Sequence, residues 1–428
     1  MRAMKGSGIE WIGEIPADWE VSTIKREYVF QTGWTPDTTH EEYFVGENIW
    51  INISDMKSKV VYDSEKHISD EAVRLASMNI SPKGSLLYAF KLSVGAVSFC
   101  GIDMYTNEAI ATFLPGKNNL RFLYYTAPIF IIKNANENIY GAKLLNQKLI
   151  RNAKIVIPPL EVQKRIADYL DHKCSQIDTI IARQQEVIEK LKAYKLSVIT
   201  EAVTKGLNPN VPMKDSGVEW IGEIPEHWKM VRLKFLLSHI IDCPHETPIY
   251  SADGDYLVIR TADQDLGKLR AAEDMYRLDE GEYQNRIRRM PLEKDDIVYG
   301  REGERWGLAC LIPESNKYCL GQRMLQFRCK KESIFPRFAM WALNSRFVYL
   351  QGAVDTIGST SPHVNISTVR NFLIPVPSIN EQQGIVAYVD KKMSQLDREV
   401  EHREMLICKL NEYKKSLIYE VVTGKKEV

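Results

Sequence analysis

One segment occurs twice in this chain. Residues 5–25 read KGSGIEWIGEIPADWEVSTIK and residues 214–234 read KDSGVEWIGEIPEHWKMVRLK, so the second run starts 209 residues after the first. A match of this length, with Trp, Gly, Pro and Trp at the same places, does not arise by chance. An internal repeat constrains the fold more than any local pattern does. The chain is therefore predicted to contain two copies of one architecture.

A second pair of matching segments lies 219 residues apart, at residues 163–204 and 382–423. The stretches between the repeated segments are mostly unlike, so a duplication has kept its frame and varied what the frame encloses. The residues of the first segment that recur 219 positions later are Gln163, Tyr169, Asp171, Lys173, Asp178, Lys190, Leu191, Tyr194, Lys195, Ser197, Glu201, Val203 and Thr204.

Length and composition are those of a folded protein with more than one core. A chain of 428 residues with 44% hydrophobic residues is too long for one ordinary domain, and it has no run of 18 apolar residues for a membrane span. The first residues, MRAMKGSGIEW, lack the apolar region of a secretion signal. These features favour a cytoplasmic protein without a membrane-spanning segment.

The seven cysteines are expected to be free thiols. Their number is odd and no C-x-x-C pair is present, which favours a reducing cytosol over a disulfide framework. Cys310, Cys319 and Cys329 are nine and ten residues apart, whereas the ligand pairs of zinc sites are usually closer. No metal site is predicted.

The net charge is zero, from 56 basic and 56 acidic residues. A protein that binds nucleic acid tightly by itself neutralises phosphates with a basic surface. The charge therefore counts against a tight, free-standing nucleic-acid binder. A net charge of zero does not exclude local basic patches, or partner proteins that supply the missing positive charge.

Two long segments predict helices that pair with each other. From Glu161 to about Thr204 there is no Gly or Pro, and from Glu381 to Thr423 the single glycine, Gly384, falls in the first turn. Helices of this size are about 60 Å long at ~1.5 Å per residue, and their narrow apolar stripe needs a partner. The heptad spacing is typical of a coiled coil. The heptad positions are Leu170, Ile177, Leu191 and Val198, and then Val389, Leu396, Leu410 and Leu417.

A polar residue interrupts each heptad frame once, at Gln184 and at Arg403, and these positions match in the two copies. Such a residue lowers stability but fixes the register of the pair. Equivalent positions of two antiparallel helices meet only near the middle of the pair. Gln184 and Arg403 are therefore expected to face each other and to set the coiled-coil register. The alternative is that each helix packs only on its own domain.

Proline and glycine mark the joints of the predicted architecture. Pro158-Pro159 and residues 375–377 end short apolar strands at 155–157 and 372–374 and introduce the helices. Gly206 ends the first helix before a Pro-containing linker. The predicted division is a first globular domain at 1–152, a first helix with linker at 153–212, a second globular domain at 213–371 and a second helix at 372–428.

The unlike regions still share a frame of strands and turns. Three pairs of segments match, namely 50–55 with 258–263, 83–88 with 294–299, and 106–111 with 321–326. The polar residues on this frame differ, with Asn52 against Arg260, and Asn107 and Glu108 against Gln322 and Arg323. A shared frame whose polar residues differ is expected of one fold that recognises two different surfaces.

Polar loops at strand ends are the candidate contacts to nucleic acid. Arginine can bond a guanine edge through two donors, and asparagine and glutamine can bond adenine. Residues 299–307, YGREGERWG, carry such groups, although an ordinary hairpin in which Glu302 and Glu304 neutralise the two arginines is the alternative. For the loops at 141–146 and 358–363 the alternative is a solvated loop. The candidate DNA-binding residues are Asn52, Asn107, Lys143, Asn146, Arg260, Arg301, Arg305, Gln322, Arg323, Ser359, Thr360 and His363.

Catalytic motifs are missing from the sequence. There is no G-x-x-x-x-G-K-[ST] phosphate loop, no G-x-S-x-G elbow and no H-E-x-x-H. Asn208-Pro209 is followed by Asn210-Val211, without the aromatic residue that an amino-methyltransferase places there. The chain is expected to be non-catalytic and to need no cofactor.

Three motifs together resemble one family. These are D-S-G-[IV]-E-W-I-G-E-I-P-x-x-W at the head of each copy, E-x-Q or E-Q-Q before each long helix, and T-E-A-V-T or Y-E-V-V-T at its end. They resemble the specificity subunit of type I restriction-modification systems over the whole chain. The first copy departs only slightly, with Gly6 where the second has Asp215, and with EVQ at residues 161–163 before its helix, whereas the second has EQQ at residues 381–383.

The resemblance implies an α+β fold in which two mixed globular target recognition domains are joined by a long antiparallel two-helix coiled coil, with a pseudo-twofold internal repeat. Each domain of such a protein reads one half of a split, asymmetric sequence in double-stranded DNA, and the helices set the spacer. The subunit does no chemistry. It docks two modification subunits, which bind S-adenosylmethionine and methylate adenine, and through them restriction subunits.

Two other classes of function are weighed against this one. A self-sufficient methyltransferase or nuclease would bind the methyl donor or cleave DNA by itself. If the chain is a coiled-coil scaffold with two peptide-binding or protein-binding domains, exchanging residues 30 to 150 with those of a relative should alter no DNA preference, whereas in a specificity subunit it should alter one half of a DNA target. The residue pattern does not reveal which bases are read, because direct readout depends on which side chains enter a groove.

Overall fold

The fold was analysed in a computed structural model that describes residues 2–137, 141, 143–303, 305–354 and 362–428. Within these ranges the chain forms two compact units. The first comprises Met1–Arg183 with Leu406–Val428, and the second comprises Gln184–Met405. Each unit therefore includes part of both long helices. No described helix is long and apolar enough to cross a membrane.

The first unit combines short strands and helices with the start of one long helix. Its strands are β1 (Met4–Gly6), β2 (Glu14–Pro16), β3 (Glu20–Thr23), β4 (Phe30–Thr32), β5 (Asn48–Ile51), β6 (Val60–Val61), β7 (His67–Ile68), β8 (Leu86–Ala89), β9 (Val97–Cys100), β10 (Tyr105–Thr106), β11 (Ile110–Phe113), β12 (Asn136–Glu137), β13 (Lys143–Leu144) and β14 (Lys154–Ile157). Its helices are α1 (Ile24–Glu27), α2 (Asp70–Leu75), α3 (Leu120–Phe130), α4 (Gln147–Asn152) and the beginning of α5 (Leu160–Lys205).

The second unit repeats this order of elements. Its strands are β15 (Met213–Asp215), β16 (Glu223–Pro225), β17 (Lys229–Arg232), β18 (Leu237–Asp242), β19 (Tyr256–Ile259), β20 (Gln264–Asp265), β21 (Lys268–Leu269), β22 (Arg277–Leu278), β23 (Ile297–Gly300), β24 (Ala309–Leu311), β25 (Tyr318–Leu320), β26 (Met324–Cys329) and β27 (Leu373–Val376). Its helices are α6 (Leu233–Leu236), α7 (Glu280–Ile287), α8 (Pro336–Leu343), α9 (Arg346–Ala353), α10 (Ile366–Arg370) and the beginning of α11 (Ile379–Val422).

The sheets of the two units share their strand order, except that the larger sheet of the first unit has one additional edge strand, β6. The larger sheet has the order β4-β11-β8-β9-β6 in the first unit and β18-β26-β23-β24 in the second. The smaller sheet has the order β10-β5-β7 in the first and β22-β19-β25 in the second. In each smaller sheet the central strand pairs parallel with one neighbour and antiparallel with the other. The predicted α+β class, with two mixed units and two long helices, is confirmed.

The repeated head segments receive the ends of the long helices. In the first unit Trp19 is 1% exposed and packs at Gly424, just beyond the end of α11. In the second unit Trp228 packs in the same way at Gly206, just beyond the end of α5. Both glycines have positive φ angles, of 74° and 73°, which a helix C-terminus commonly requires. The head segment occurs in both copies because each unit uses it to pack the end of one long helix.

The predicted helices are confirmed to within two residues at each end. The predicted strand at 155–157 is also confirmed as part of β14, which pairs with β3. The predicted strand at 372–374 is wrong at its end, because β27 continues through Pro375. Pro375 is tolerated because β27 and β17 form a two-stranded pair, in which one edge of each strand needs no N–H donor.

Within the second unit the two long helices run antiparallel. Arg403 Nη1 lies 2.6 Å from Gln184 Oε1, and farther along the first helix Lys195 forms an ion pair with Asp397. Residue numbers rise along one helix as they fall along the other. In the first unit Lys414 Nζ lies 2.6 Å from Asp178 Oδ1. Lys195 and Lys414 are matching residues of the repeat, as are Asp178 and Asp397, so each unit uses the same ion pair between its helices.

Candidate nucleic-acid interface

The ends of four strands meet on the second unit and bring several predicted residues together. Gly321, after β25, donates its backbone N–H to Ile259 O at the end of β19, at 2.8 Å. Arg301, after β23, donates its backbone N–H to the carbonyl of Arg323, just before β26. Arg305 Nη1 donates to Ala262 O at 3.3 Å. The candidates that this surface gathers are Arg260, Arg301, Arg305, Gln322, Arg323 and His363.

Arg260 is held by its own turn. It precedes a 3₁₀ turn at Thr261–Asp263, and its Nε and Nη2 donate to the two oxygens of Asp263 at 2.8 Å each. Its guanidinium lies 3.9 Å from the ring centroid of Tyr276, which packs on Tyr250. The hydrogen bonds that Arg260 donates to Asp263 raise the pKa of the guanidinium further. Both tyrosines are exposed, so arginine and rings form one platform on which a flat group can stack.

Arg301 is buried rather than displayed, with 4% of its surface exposed. Its Nη2 lies 3.0 Å from Glu302 Oε1, and its Nε lies 3.3 Å from Asp242 Oδ1. Its Nη1 is 3.2 Å from His363 Nε2. The alternative of a neutralised hairpin therefore describes Arg301 better than base contact does, because its guanidinium is buried among Asp242, Glu302 and His363, although its Nε makes no hydrogen bond to a described residue. Arg301 anchors the loop, and a charged residue is buried only with such partners.

Arg323 and Gln322 lie at the surface of the same cluster. The Arg323 side chain is 54% exposed and its Nε is 3.8 Å from Glu302 Oε2, a loose pair. Its φ of 68° is in the left-handed region. Gln322 Nε2 donates to His245 O at 3.0 Å and to Thr247 Oγ1 at 3.3 Å. Arg323 therefore keeps donors for a ligand, whereas Gln322 keeps mainly its side-chain oxygen.

In the first unit the matching strand ends place Asn52 beside Asn107. Asn107 donates its backbone N–H to Ile51 O at 3.0 Å. Asn52 Oδ1 accepts from the backbone and hydroxyl of Ser54, at 2.8 and 2.5 Å, which leaves its NH₂ group as a donor. Asn107 Oδ1 accepts one bond, from Ala109 N at 3.1 Å, and a second lone pair remains. Asn107 can therefore still donate and accept at once, as adenine recognition requires.

The other candidates have local roles or lie outside the described part of the chain. Lys143 forms an ion pair with Glu137. Asn146 caps α4 by accepting from Leu149 N at 2.9 Å. His363 Nδ1 lies 3.0 Å from Glu302 Oε1. Ser359 and Thr360 lie outside the described residues.

Sequence reasoning missed Lys91 and Thr35, which lie beside Glu108, the residue that follows Asn107. Lys91 Nζ is 3.5 Å from Glu108 Oε1, and Thr35 donates to the other oxygen of Glu108. This contact lowers the pKa of Glu108, first through the hydrogen bond from Thr35. The available signal was positional, since residues 90–96 match the arginine-rich loop that was selected in the second copy. A carboxylate at this place can accept from cytosine N4.

The described residues contain no group of three or more His, Cys, Asp or Glu side chains arranged to hold a metal ion. Cys310, Cys319 and Cys329 are buried thiols. Burial raises the pKa of each to about 12, so they are protonated at neutral pH. Their surroundings are those of small core residues rather than of ligands or nucleophiles.

The family model described as "Type I restriction modification DNA specificity domain" matches the chain twice, at residues 16–190 and 225–406. The chain belongs to this family. Its similarity to curated specificity subunits extends over nearly the whole length. The chain is 24% identical over 420 residues to the type I restriction enzyme MjaVIII specificity subunit of Methanocaldococcus jannaschii, covering 96% of this chain and 93% of that protein. It is 24% identical over 372 residues to the EcoBI specificity subunit of Escherichia coli, covering 80% and 75%.

Solved structures share the fold. One is a chain in a structure described as the structural basis underlying complex assembly and conformational transition of the type I R-M system, with a TM-score of 0.71 at 15% identity, covering 96% of this chain and 99% of that one. Another is the HsdS subunit from Thermoanaerobacter tengcongensis, with a TM-score of 0.51 at 14% identity, covering 96% and 98%. The specificity subunits of type I systems are not catalytic, and partner subunits do the chemistry.

Proposed function

We propose that this chain is the DNA-reading subunit of a type I restriction-modification complex, in which each unit reads one half of a bipartite, asymmetric target. One observation carries the proposal. The two units present the ends of the same strands, but Asn52 and Asn107 stand where Arg260 and Gln322 stand in the other unit. Two units that have the same strands but different polar residues at the strand ends can recognise two different base sequences.

The polar side chains of each site are proposed to make different contacts with DNA. Arg323 is the candidate for a guanine edge, Arg305 is the candidate for a phosphate, and Asn107 is the candidate for adenine. Arg260 and Arg301 position the loops, because Arg260 is hydrogen-bonded to Asp263 and Arg301 is buried beside Glu302. The remaining predicted contacts, Asn52, Lys143, Asn146, Gln322, Ser359, Thr360 and His363, stay predictions.

We propose two modification subunits and, through them, restriction subunits as the protein partners, in the cytoplasm where the cell's DNA is reached. The zero net charge supports this assembly, since affinity for DNA rests largely on neutralised phosphates that other chains must contact. The two long helices are the proposed spacer between half-sites and the docking surface for the modification subunits. Gln184 and Arg403 are the proposed register pair of those helices.

Methylation-site sequencing of DNA from cells that express the complete system tests the proposal. It should give one bipartite motif with a fixed unread spacer. Exchanging residues 30–150 with those of a relative should change one half of that motif, and exchanging residues 237–370 should change the other half. Methylation that ignores both exchanges would contradict the assignment of a half-site to each unit.

A coiled-coil scaffold with two protein-binding domains is the alternative. It predicts that the purified complex binds a duplex of the mapped sequence no better than a scrambled duplex of equal length. Specific binding is expected to exceed non-specific binding by a factor of about 10³ or more at physiological salt. The comparison needs one fixed salt concentration, because both affinities fall as salt rises.

A further inference from the structure

An exposed leucine occupies a strained position at the candidate interface of the first unit. Leu92 lies in the turn between β8 and β9, its side chain is 87% exposed, and its φ is 52°. The same place in the second unit, counted from the matching strands β8 and β23, is Gly303, with φ of 83°. Glycine adopts this conformation without strain, whereas leucine does not. Leu92 therefore keeps an unfavourable backbone and an apolar side chain in water.

The turn that carries Leu92 is anchored on both sides. Phe90 is 4% exposed and donates its backbone N–H to Ala109 O at 3.0 Å. Gly95 N donates to Ala89 O at 2.9 Å. Leu92 is thus a projecting side chain on a supported turn. Strain that persists in a supported loop commonly accompanies a functional side chain.

The neighbours of Leu92 belong to the candidate interface. Lys91, the preceding residue, lies 3.5 Å from Glu108, and Glu108 follows Asn107 directly. An apolar tip that follows this lysine in the chain, with a carboxylate and an amide close to the lysine, fits a surface that offers phosphates, base edges and apolar base faces together. Duplex DNA offers all three.

We infer that Leu92 is a wedge that inserts between two bases of the first half-site. The inference rests on the proposed function and deepens it. Leucine is one of the side chains that proteins insert between base steps, where it partly unstacks them and bends the duplex. Pyrimidine–purine steps unstack most readily, so the first half-site contains such a step beneath Leu92. The second unit, with Gly303 at this place, reads its half-site without a wedge.

The test uses the chain in complex with its modification subunits and a duplex of the mapped target. The fluorescent base 2-aminopurine is placed at each position of the first half-site in turn, except at the methylated adenine. With the natural chain, one position should brighten several-fold on binding because its stacking is lost. With Leu92→Gly that signal should disappear, and affinity for the target should fall by about tenfold.

Two further variants separate insertion from folding and from a general apolar effect. Leu92→Asn should behave as Leu92→Gly does, since asparagine tolerates the left-handed region. Neither variant should lower the midpoint of thermal unfolding. Val45→Asn changes another exposed apolar residue, one that is 75% exposed, and should leave affinity and fluorescence unchanged.

Three outcomes would overturn the wedge. One is the absence of a fluorescence change at every position in a complex that still prefers the mapped duplex. Another is unchanged affinity of Leu92→Gly. The last is that Leu92→Gly binds more weakly than the natural chain to the thymine-containing duplex, but equally well to a duplex in which uracil replaces thymine. Leu92 would then contact a thymine methyl group instead of inserting between bases. A natural complex that does not distinguish mapped from scrambled DNA contradicts the proposed function instead.

Discussion

Arg403 donates a hydrogen bond from Nη1 to Gln184 Oε1 at 2.6 Å, and these residues occupy the same position of the two copies. The Arg403 Nη2 atom also lies 2.5 Å from Glu399 Oε1, one turn earlier on its own helix. The side chain of Arg403 is 27% exposed, so this polar pair lies partly within an otherwise apolar seam. Such a pair lowers stability relative to leucine but penalises a shifted register.

Replacing one or both partners should separate these two effects. Gln184→Leu alone should lower the free energy of unfolding by about 1 kcal/mol, because Arg403 loses a hydrogen bond in a partly buried place. Gln184→Leu with Arg403→Leu should be at least as stable as the natural chain. Thermal unfolding of the natural chain, both single variants and the double variant measures the coupling. Strictly additive single effects would mean that the two side chains do not act together.

The long helices could be predicted from sequence because their signals are local. Heptad spacing, the absence of glycine and proline, and Gly206 at the end define α5 without any knowledge of tertiary contacts. The local pattern could not predict which segments of the chain form each compact unit. Trp19 packs at Gly424, and nothing in the local pattern of either residue pairs them across the length of the chain. The head segments could be found as repeats, but not their role as the joint for a helix end.

The candidate site could be located from sequence, but its side chains could not be assigned roles. The strand ends follow from the repeat, which aligned Asn52 with Arg260 before any contact was known. The burial of Arg301 could not be foreseen, because arginine is mostly exposed and its partner Asp242 lies far away in sequence. Leu92 was not selected because an apolar residue in a turn carries no polar signal.

The beginning of α11 should make stability depend on pH. Glu381 accepts from Ser378 Oγ at 2.8 Å and lies 2.8 Å from His227 Nε2. Burial opposes ionisation of this carboxyl group, but the hydrogen bonds outweigh it and lower its pKa from 4.5 to about 2. Because this pKa is lower in the folded chain than in the unfolded chain, the ionised carboxylate stabilises the fold at pH values above 4.5. This stabilisation is lost as pH falls from 4.5 toward 2.

Glu381→Gln should therefore lower the free energy of unfolding at pH 7 by about 1 kcal/mol, a modest value because the side chain is 39% exposed and solvent screens its charge. Urea unfolding of both chains at several pH values measures the difference, which should shrink steadily below pH ~4.5. The matched control is Glu412→Gln on the exposed face of the same helix. A difference that stays constant down to pH ~2.5 would assign the effect to packing rather than to charge.

Gly33 should tolerate no side chain. A Cβ atom there would lie 1.7 Å from the carbonyl oxygen of Thr106, a backbone atom that cannot move aside without shifting β10. Gly33→Ala should lower the free energy of unfolding by more than about 3 kcal/mol and disturb the strand end that carries Asn107. Gly384→Ala is the control, since nothing lies within 4 Å of a Cβ atom there, and alanine should stabilise the helix by up to about 1 kcal/mol. Equal effects of the two substitutions on unfolding would show that the contact at Gly33 is relieved easily.

Arg323 and Arg301 should differ in what their loss changes. The Arg323 side chain is 54% exposed, so Arg323→Gln should leave the unfolding midpoint unchanged and weaken binding of the second half-site by about 1–3 kcal/mol. The Arg301 side chain is 5% exposed between Asp242 and Glu302, so Arg301→Gln removes the buried cation that these two carboxylates share. It should lower the free energy of unfolding by about 3 kcal/mol or more.

The comparison needs thermal unfolding and DNA binding on the same samples. Arg305→Gln supplies the reference for a phosphate contact, since it should weaken all sequences alike and reduce the slope of log affinity against log salt by about one. Arg323→Gln should instead relax the base preference at one position of the second half-site. If Arg323→Gln gives only the uniform, salt-dependent loss, Arg323 contacts a phosphate. Sequence discrimination by the second unit would then rest on its other groups, such as the Arg260 and Tyr276 platform or Gln322, or on the shape of the DNA.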